Sequence, residues 1–480
     1  MTPSPNAFGY SRLMQRMLQH LPFAPSAGQR EVMEKMIRFA FDADGAPLML
    51  LNGFAGTGKT SVMAAFARLL QDMHRPVVLL APTGRAAKVL SGHVGAAAGT
   101  IHRQIYRRKS SSDAFSPFEL NFNKQQDAVF IVDEASMIGG FSAEQTFFGS
   151  GNLLADLVEY IGSRRGCRLL LAGDTAQLPP VGLSASPALV PSCMEQYIRP
   201  IVCGQLTEVA RQAEGSGILA NATMLRTLIA MEVPVVPVFQ TAAYSDITPI
   251  SGSELLEKLE ETYDRTGQED TIVVCYSNKR ANRYNEGIRS RILFREESLS
   301  AGDVLMVVKN NYFWSATGDQ DDDGFIANGD IVRVRRIRRF TERYGFHFAE
   351  ADLVLTDYDR ELSAMLLLDV LPSEQAALPK EVQRRLYDAV AEDYAGLSRA
   401  RLREAMSKDP FYNALQVKYA YAVTGHKSQG GQWHTVFVDN GWFRDEPPDT
   451  SYLRWLYTAL TRATDRVYLV NFPQKFLPMD

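Results

Sequence analysis

The sequence has few of the residues that build covalent or metal-bound frameworks. Its 480 residues include four cysteines and seven histidines. Cys167, Cys193, Cys203 and Cys275 form no CxxC pair and have no histidine pair nearby. That argues against a zinc centre or a disulfide lattice and fits free thiols in a reducing cytoplasm. No apolar run approaches the roughly 18 residues that a bilayer span requires. The opening MTPSPNAFGY also lacks the basic-then-apolar pattern of a secretory signal. The net charge is only −4, so any nucleic-acid site must be a local basic channel. Repeats and long low-complexity tracts are missing too. What is present is an ordinary globular composition, 46% hydrophobic and 22% charged. The length suggests about three domains.

Over the first part of the chain, short and nearly continuous apolar runs alternate with helical patterns. APLMLLNG (46–53), RPVVLLAPT (75–83), DAVFIVDEAS (127–136) and CRLLLAGD (167–174) each end in small or polar residues. Strands buried on both faces of a parallel sheet read this way. A helical pattern over 60–72 directly follows the first. The fold class is therefore α/β, with functional loops expected at the carboxyl ends of the strands. A second set of such strands is expected at 270–277, 418–426, 434–441 and 465–472. Between the two strands at 270–277 and 418–426 the texture changes. VLMVVKN (304–310) leads to an acidic loop, GDQDDDG (318–324), then to Asn328-Gly329 and the alternating IVRVRRIRR (331–339). Asn-Gly beside alternation predicts a β-hairpin. Residues 372–409 are charged and helical in pattern. The stretch 300–415 thus reads as an insertion, partly a small β-barrel, within a second α/β domain.

GFAGTGKT (53–60) is G-x-x-x-x-G-K-T, placed after one strand and before one helix. Gly53, Phe54, Ala55, Gly56, Thr57, Gly58, Lys59 and Thr60, with Ser61 behind them, form the expected ATP-binding loop. The glycines let backbone N–H groups turn toward the β-phosphate, Lys59 reaches the β/γ-phosphates, and the Thr60 hydroxyl ligates Mg²⁺. FIVDEASM (130–137) ends a buried strand in an acidic pair. Asp133 is the expected second Mg²⁺ holder, and Glu134 the residue that orients or deprotonates the attacking water. In LAGDTAQLPPVG (171–182), Gln177 is a polar group suited to sensing a γ-phosphate. ATP hydrolysis follows as the expected chemistry.

The order of these loops from about residue 21 to 472 resembles that of the superfamily I helicases. The RecD-like and Dda-like branch is the most similar, with Pif-type helicases as near relatives. LPFAPSAGQREVM (21–33) is similar to the family's Q motif, in which Gln29 would recognise adenine. GFAGTGKT and VDEASM resemble motifs I and II, APTGRAAKVL (81–90) and TIH (100–102) motifs Ia and Ib, and GDTAQLPPVG motif III. LTEVARQ (206–212), VTGHKSQGGQW (423–433) and YTALTRA (457–463) resemble motifs IV, V and VI.

The resemblance implies two RecA-like P-loop domains, parallel sheets flanked by helices, with ATP in the cleft between them. A small SH3-like β-barrel would be inserted in the second. The expected division is 1–200, then 201–299 with 416–480, then the insertion at 300–415. Arg211 and Arg462 would reach from the second domain to the γ-phosphate, and Gly430 would approach the nucleotide or the interdomain seam. Single-stranded DNA would run across both domains, meeting Pro82, Thr83, His102, Thr424 and His426 mostly through phosphate. The two histidines also fit purely structural roles. Residues 103–126 occupy the place of the family's strand-splitting pin. Phe115, Phe118 and Phe122 are wedge candidates there, or anchors that pack a loop down. The basic run Arg333, Arg335, Arg336, Arg338 and Arg339 is open between DNA grip and a solvated barrel face. Tyr312, Phe313 and Trp314 are open between base stacking and core.

The expectation is a minimal, monomeric, cytoplasmic motor with no attached nuclease, acting 5′ to 3′ on single-stranded and tailed duplex DNA, with ATP and Mg²⁺. An RNA-directed or 3′-to-5′ motor, a protein-stripping translocase and a nucleotide-switched binding protein stay open beside it.

Overall fold

A computed structural model describes residues 5–108, 118–140, 148–208, 215–231, 235–314, 325–442 and 445–478. Phe115, Arg211 and the acidic loop 318–324 lie outside the described residues. The first sheet has six strands, all parallel. Their spatial order is Ala98–Thr100, Val77–Ala81, Val129–Val132, Arg168–Gly173, Leu48–Gly53 and Ile201–Leu206. The apolar runs fill its centre: every residue of Val129–Val132 and Arg168–Gly173 is buried. Helices Ala27–Phe41 and Lys59–Asp72 pack their apolar faces on this sheet, as parallel strands require.

The second sheet has five parallel strands in the order Ala422–Thr424, Thr271–Cys275, Trp433–Asp439, Ala463–Val470 and Ile247–Ile250. Between its strands the chain builds a closed barrel from Val304–Val307, Ile331–Arg343, Phe346–Leu355, Arg360–Leu367 and Leu415–Tyr419. Helices Lys380–Glu392 and Arg399–Lys408 extend it through a small core of their own. The α/β class, the two sheets and the barrel are as the sequence indicates.

Three expectations need correction. Ile201–Leu206 pairs with Leu48–Gly53, so the first sheet runs past the boundary drawn at 200. The single strand expected at 418–426 is two: Leu415–Tyr419 closes the barrel and Ala422–Thr424 returns to the sheet. A boundary at 415/416 therefore cuts a barrel strand. Asn328-Gly329 is not a two-residue hairpin turn, because Val304–Val307 and Ile331–Arg343 pair across a long connection. The tight turn is Tyr344-Gly345, flanked by the pair Arg343 and Phe346. Both of its residues have positive φ, 58° and 73°, as a two-residue turn of primed type needs.

Arg335 pairs with Glu361, Arg338 with Asp352 at 2.7 Å and Arg339 with Glu350 at 3.8 Å, while Arg333 meets Glu269. These are cross-strand and neighbouring carboxylates on a solvated barrel wall.

A Cβ at Gly345 would meet nothing within 4 Å, so its constraint is backbone conformation alone. Gly345→Ala should lower the urea midpoint by an amount equivalent to about 1 kcal/mol, the cost of the left-handed region for an L-residue. An unchanged midpoint would contradict this turn assignment.

Candidate ATP site and nucleic-acid face

The loop after Leu48–Gly53 turns back on itself at Gly56 and Gly58, with φ of 73° and 75°. A side chain is disfavoured at both. The turn aims backbone N–H groups at the amino end of helix Lys59–Asp72, where its partial positive charge adds to theirs. Thr57 Oγ1 donates to the Phe54 carbonyl at 2.7 Å, closing the loop on itself. Gln29 lies at the third position of helix Ala27–Phe41 in a capping box with Ser26. Its Oε1 accepts from the Ser26 N–H at 3.0 Å and its Nε2 donates to the Thr57 carbonyl at 2.9 Å. One amide hydrogen and one lone pair remain for a further partner. Gln29 thus braces the phosphate loop from the side.

Lys59 Nζ lies 2.8 Å from Asp133 Oδ1, both nearly buried. Burial alone would lower the Lys59 pKa, but the carboxylates of Asp133, Glu134 and Asp174 outweigh it and leave it raised. Glu134 takes φ = 54°, a left-handed conformation rare for a side chain of its size. Its backbone N–H donates to Asp133 Oδ1 at 2.8 Å, which fixes the kink. Such strain, held by its surroundings, aims the carboxylate into the cleft. Glu134 Oε2 is buried with no hydrogen-bond partner, and so is Oε1 of Gln177. Buried acceptors without partners are costly unless something fills the space.

Arg462 enters from the other side. It is 4% exposed and ends helix Thr450–Leu460 of the second domain. Nε donates to the Thr458 carbonyl at 3.1 Å, and Nη1 lies 3.8 Å from Glu134 Oε1. The structure therefore brings Lys59, Asp133, Glu134, Gln177 and Arg462 around one interdomain cleft. Gly430 is at its seam: φ is 72°, and a Cβ there would stand 2.9 Å from Ala86 Cβ and 3.2 Å from Thr83 Oγ1.

Residues not singled out from the sequence also build the cleft. Tyr457 OH accepts from the Ala55 N–H at 2.9 Å and donates to Asp174 Oδ2 at 2.6 Å. Arg454 donates to the carbonyls of Thr175 and Gln177, and Thr458 Oγ1 accepts from the Leu178 N–H at 2.9 Å. Gln429 Nε2 reaches the Leu178 carbonyl at 2.7 Å. On the seam, the Arg85 guanidinium stacks 4.0 Å from the Trp433 ring centre. The one available signal was the 454/457/458 spacing, which puts all three on one helical face.

Of the expected DNA contacts, Thr83, Thr424 and His426 fall at strand ends by this seam, whereas His102 lies apart from it. Thr83 Oγ1 caps helix Gly84–Val94 by accepting from the Ala86 N–H, so the helix amino end opens beside it. Thr424 precedes the short helix Gly425–Ser428 and makes no side-chain cap. His426 is half-buried, its pKa pulled down by burial, with a hydrogen bond to the Pro179 backbone opposing. His102 sits among Tyr106, Phe148 and Phe325, with ring centres 5.7, 5.0 and 6.2 Å away. Burial lowers its pKa to about 4, so it carries no charge at neutral pH. Phe118 and Tyr312 belong to the same aromatic cluster, which joins the first domain to the barrel. Trp314 donates to the Asn413 carbonyl at 2.8 Å within the insertion, with Phe313 edge-on. Phe118 and Tyr312 are thus anchors, whereas Phe122 is 60% exposed with Arg164 stacked on it.

Two family descriptions match the chain: an AAA domain over residues 24–227 and a UvrD-like helicase C-terminal domain over 419–470. They fall on the two sides of the cleft. The chain is thus similar to an AAA domain in its first part and to a UvrD-like helicase C-terminal domain near its end. The ATP-dependent RecD2 DNA helicase of Deinococcus radiodurans is 31% identical over 41% of this chain and 24% of its own length. Protein R530 of Acanthamoeba polyphaga mimivirus is 22% identical over 92% of this chain and 98% of its own. The ATP-dependent DNA helicase Pif1 of Psychrobacter sp. is 22% identical over 82% and 61%. The chain thus spans about a quarter of the RecD2 relative. Among solved structures, Bacteroides Pif1 in complex with ADP-AlF3 and ssDNA aligns over 95% of each chain, with 16% identity and a TM-score of 0.46.

The lowered His102 pKa fixes a sign. Between its ordinary value of 6.5 and about 4 the unfolded chain binds a proton that the folded chain does not. Stability is therefore lost as pH falls through that window. His102→Phe should lose less urea stability than wild type between pH 7 and pH 5; equal losses would contradict the buried neutral ring.

Proposed function

We propose that this protein is an ATP-dependent motor on single-stranded DNA, moving 5′ to 3′ and separating strands. The observation that carries the reading is the convergence of Lys59, Glu134 and Arg462 in one cleft between two α/β domains. A nucleotide switch needs no arginine from a second such domain. A machine that closes and reopens does. Relatives named as ATP-dependent DNA helicases support DNA as the track.

In this reading Lys59 leaves Asp133 for the β/γ-phosphates, and the loop N–H groups hold the β-phosphate. The Thr60 hydroxyl and Asp133 carboxylate are hard oxygen donors of the kind that would hold Mg²⁺. When bound, that ion neutralises phosphate charge. Glu134, aimed by its strained backbone, takes the proton of the attacking water through its unpartnered oxygen. Gln177 meets the γ-phosphate with its amide N–H, leaving its free Oε1 to accept from the attacking water. Arg462, with Arg211 as a second candidate, places positive charge where the transition state gathers negative charge. Gln29 is assigned to the adenine side of the loop, and Gly430 to the seam that closes on the nucleotide.

On the DNA face, Thr83 and Thr424 offer backbone N–H groups and a helix amino end to phosphates, beside Pro82, which adds shape but no donor, suiting binding without sequence readout. His102, being neutral and packed, contributes shape or one hydrogen bond, and His426 lies between this face and the Pro179 carbonyl. Residues 103–126, part of them outside the described residues, are assigned to the pin that meets the duplex. Single-stranded and tailed duplex DNA are the proposed partners, with a monomer in a reducing cytoplasm as the working unit. No helix among the described residues is long and apolar enough to cross a membrane.

The test is ATPase activity with and without oligonucleotides, followed by displacement from duplexes bearing a 5′ tail, a 3′ tail or none. Stimulation by single-stranded DNA and displacement from the 5′-tailed duplex are expected, both abolished in Lys59→Ala. An ATPase indifferent to single-stranded DNA would undo the motor reading. Displacement only from the 3′ tail would reverse the polarity, and preference for RNA tails would move the track to RNA.

A further inference from the structure

We propose that Tyr457 is a positioning residue that ties the phosphate loop and the loop bearing Gln177 to the second domain, so that hydrolysis is fast only when the cleft is closed. This rests on the motor reading and deepens it. Tyr457 is 1% exposed, and its hydroxyl is shared between two first-domain groups, the Ala55 N–H and the Asp174 carboxylate. Ala55 belongs to the phosphate loop, so a backbone donor of that loop is satisfied by a side chain of the other domain. Asp174 opens the loop that carries Gln177, and its Oδ1 accepts from the Ala176 N–H at 2.9 Å. One hydroxyl therefore links both loops.

The link is built, not incidental. Arg454 and Thr458, on the same face of helix Thr450–Leu460, hold the backbone of residues 175–178. The Gln177 backbone is thus fixed from the second domain while its side-chain oxygen stays unpartnered. Arg462 follows at the end of the same helix. Opening the cleft would strip the Ala55 N–H and the Asp174 carboxylate of a shared partner and withdraw Arg462 in one movement. A buried tyrosine serving only as an anchor would need its ring but not this hydroxyl.

Tyr457→Phe keeps the ring and removes the hydroxyl. At saturating oligo(dT) its kcat for ATP should fall about tenfold, a barrier increase of about 1.4 kcal/mol. KM for ATP should stay within about twofold, and ATP consumed per base pair displaced should rise. A structural anchor would instead change the melting temperature and leave kcat and KM at wild-type values, which would overturn the proposal. A rise in KM with kcat unchanged would overturn it as well. Asp174→Asn approaches the relay from its other end and should lower kcat in the same direction. The double variant should be no slower than Tyr457→Phe alone; independent, multiplying losses would contradict a single relay. The wild-type arm separates the two levels. If wild type is not stimulated by oligo(dT), the motor reading fails; if it is and Tyr457→Phe matches it, only the relay fails.

Discussion

Arg462 and Glu134 approach to 3.8 Å across a cleft whose walls come from opposite ends of the chain. On the proposed reading, neither domain alone can assemble the charges that phosphoryl transfer needs. The first supplies a lysine, two carboxylates and a ring of N–H groups, and leaves the buried oxygens Glu134 Oε2 and Gln177 Oε1 without partners. The second supplies the buried guanidinium. Everything else in the fold keeps these two surfaces opposed: parallel sheets that put their loops at one edge, a seam shaped by Gly430, and a helix that presents Arg454, Tyr457 and Thr458 toward two first-domain loops, with Arg462 beyond its end facing Glu134.

The electrostatics explain why this arrangement suits a cycle. A buried Lys59 beside Asp133 and Glu134 is held strongly protonated, and its present partner is a carboxylate that phosphate can replace. The strained Glu134 backbone stores a fixed direction for its side chain. His102, by contrast, is kept neutral by its aromatic surroundings and joins the barrel to the first domain through packing. Charge is concentrated in the cleft, and the flanking interface joins an aromatic cluster to a few cationic side chains such as Arg103 and Lys88.

Much of this was legible in the residues. Strands buried on both faces leave unbroken apolar runs, and the phosphate loop has few alternatives at its spacing. Edge strands were harder. Ile201–Leu206 carries glycine and glutamine in IVCGQL, and Ile247–Ile250 contains Pro249, tolerable only where a ladder bond can be missing. The Asn328-Gly329 signal misled because the same chemistry serves a turn inside a long connection, while Tyr344-Gly345 makes the hairpin. Tyr457 was hidden for another reason. Its partners lie 402 and 283 residues away, and no local pattern records a contact between domains. The ordered motifs imply a cleft, and the hydroxyl that spans it is fixed by the packing of the two domains.

The most direct measurement is the turnover of Arg462→Ala at saturating ATP and oligo(dT), with nucleotide affinity read separately by a fluorescent analogue. If the cleft is one active site closed by its second domain, turnover should fall roughly 10³-fold, as for other arginines that reach a γ-phosphate in trans or across domains. Affinity should change only a few-fold. Turnover within a few-fold of wild type would mean that Arg462 merely ends a helix and that the first domain hydrolyses ATP unaided.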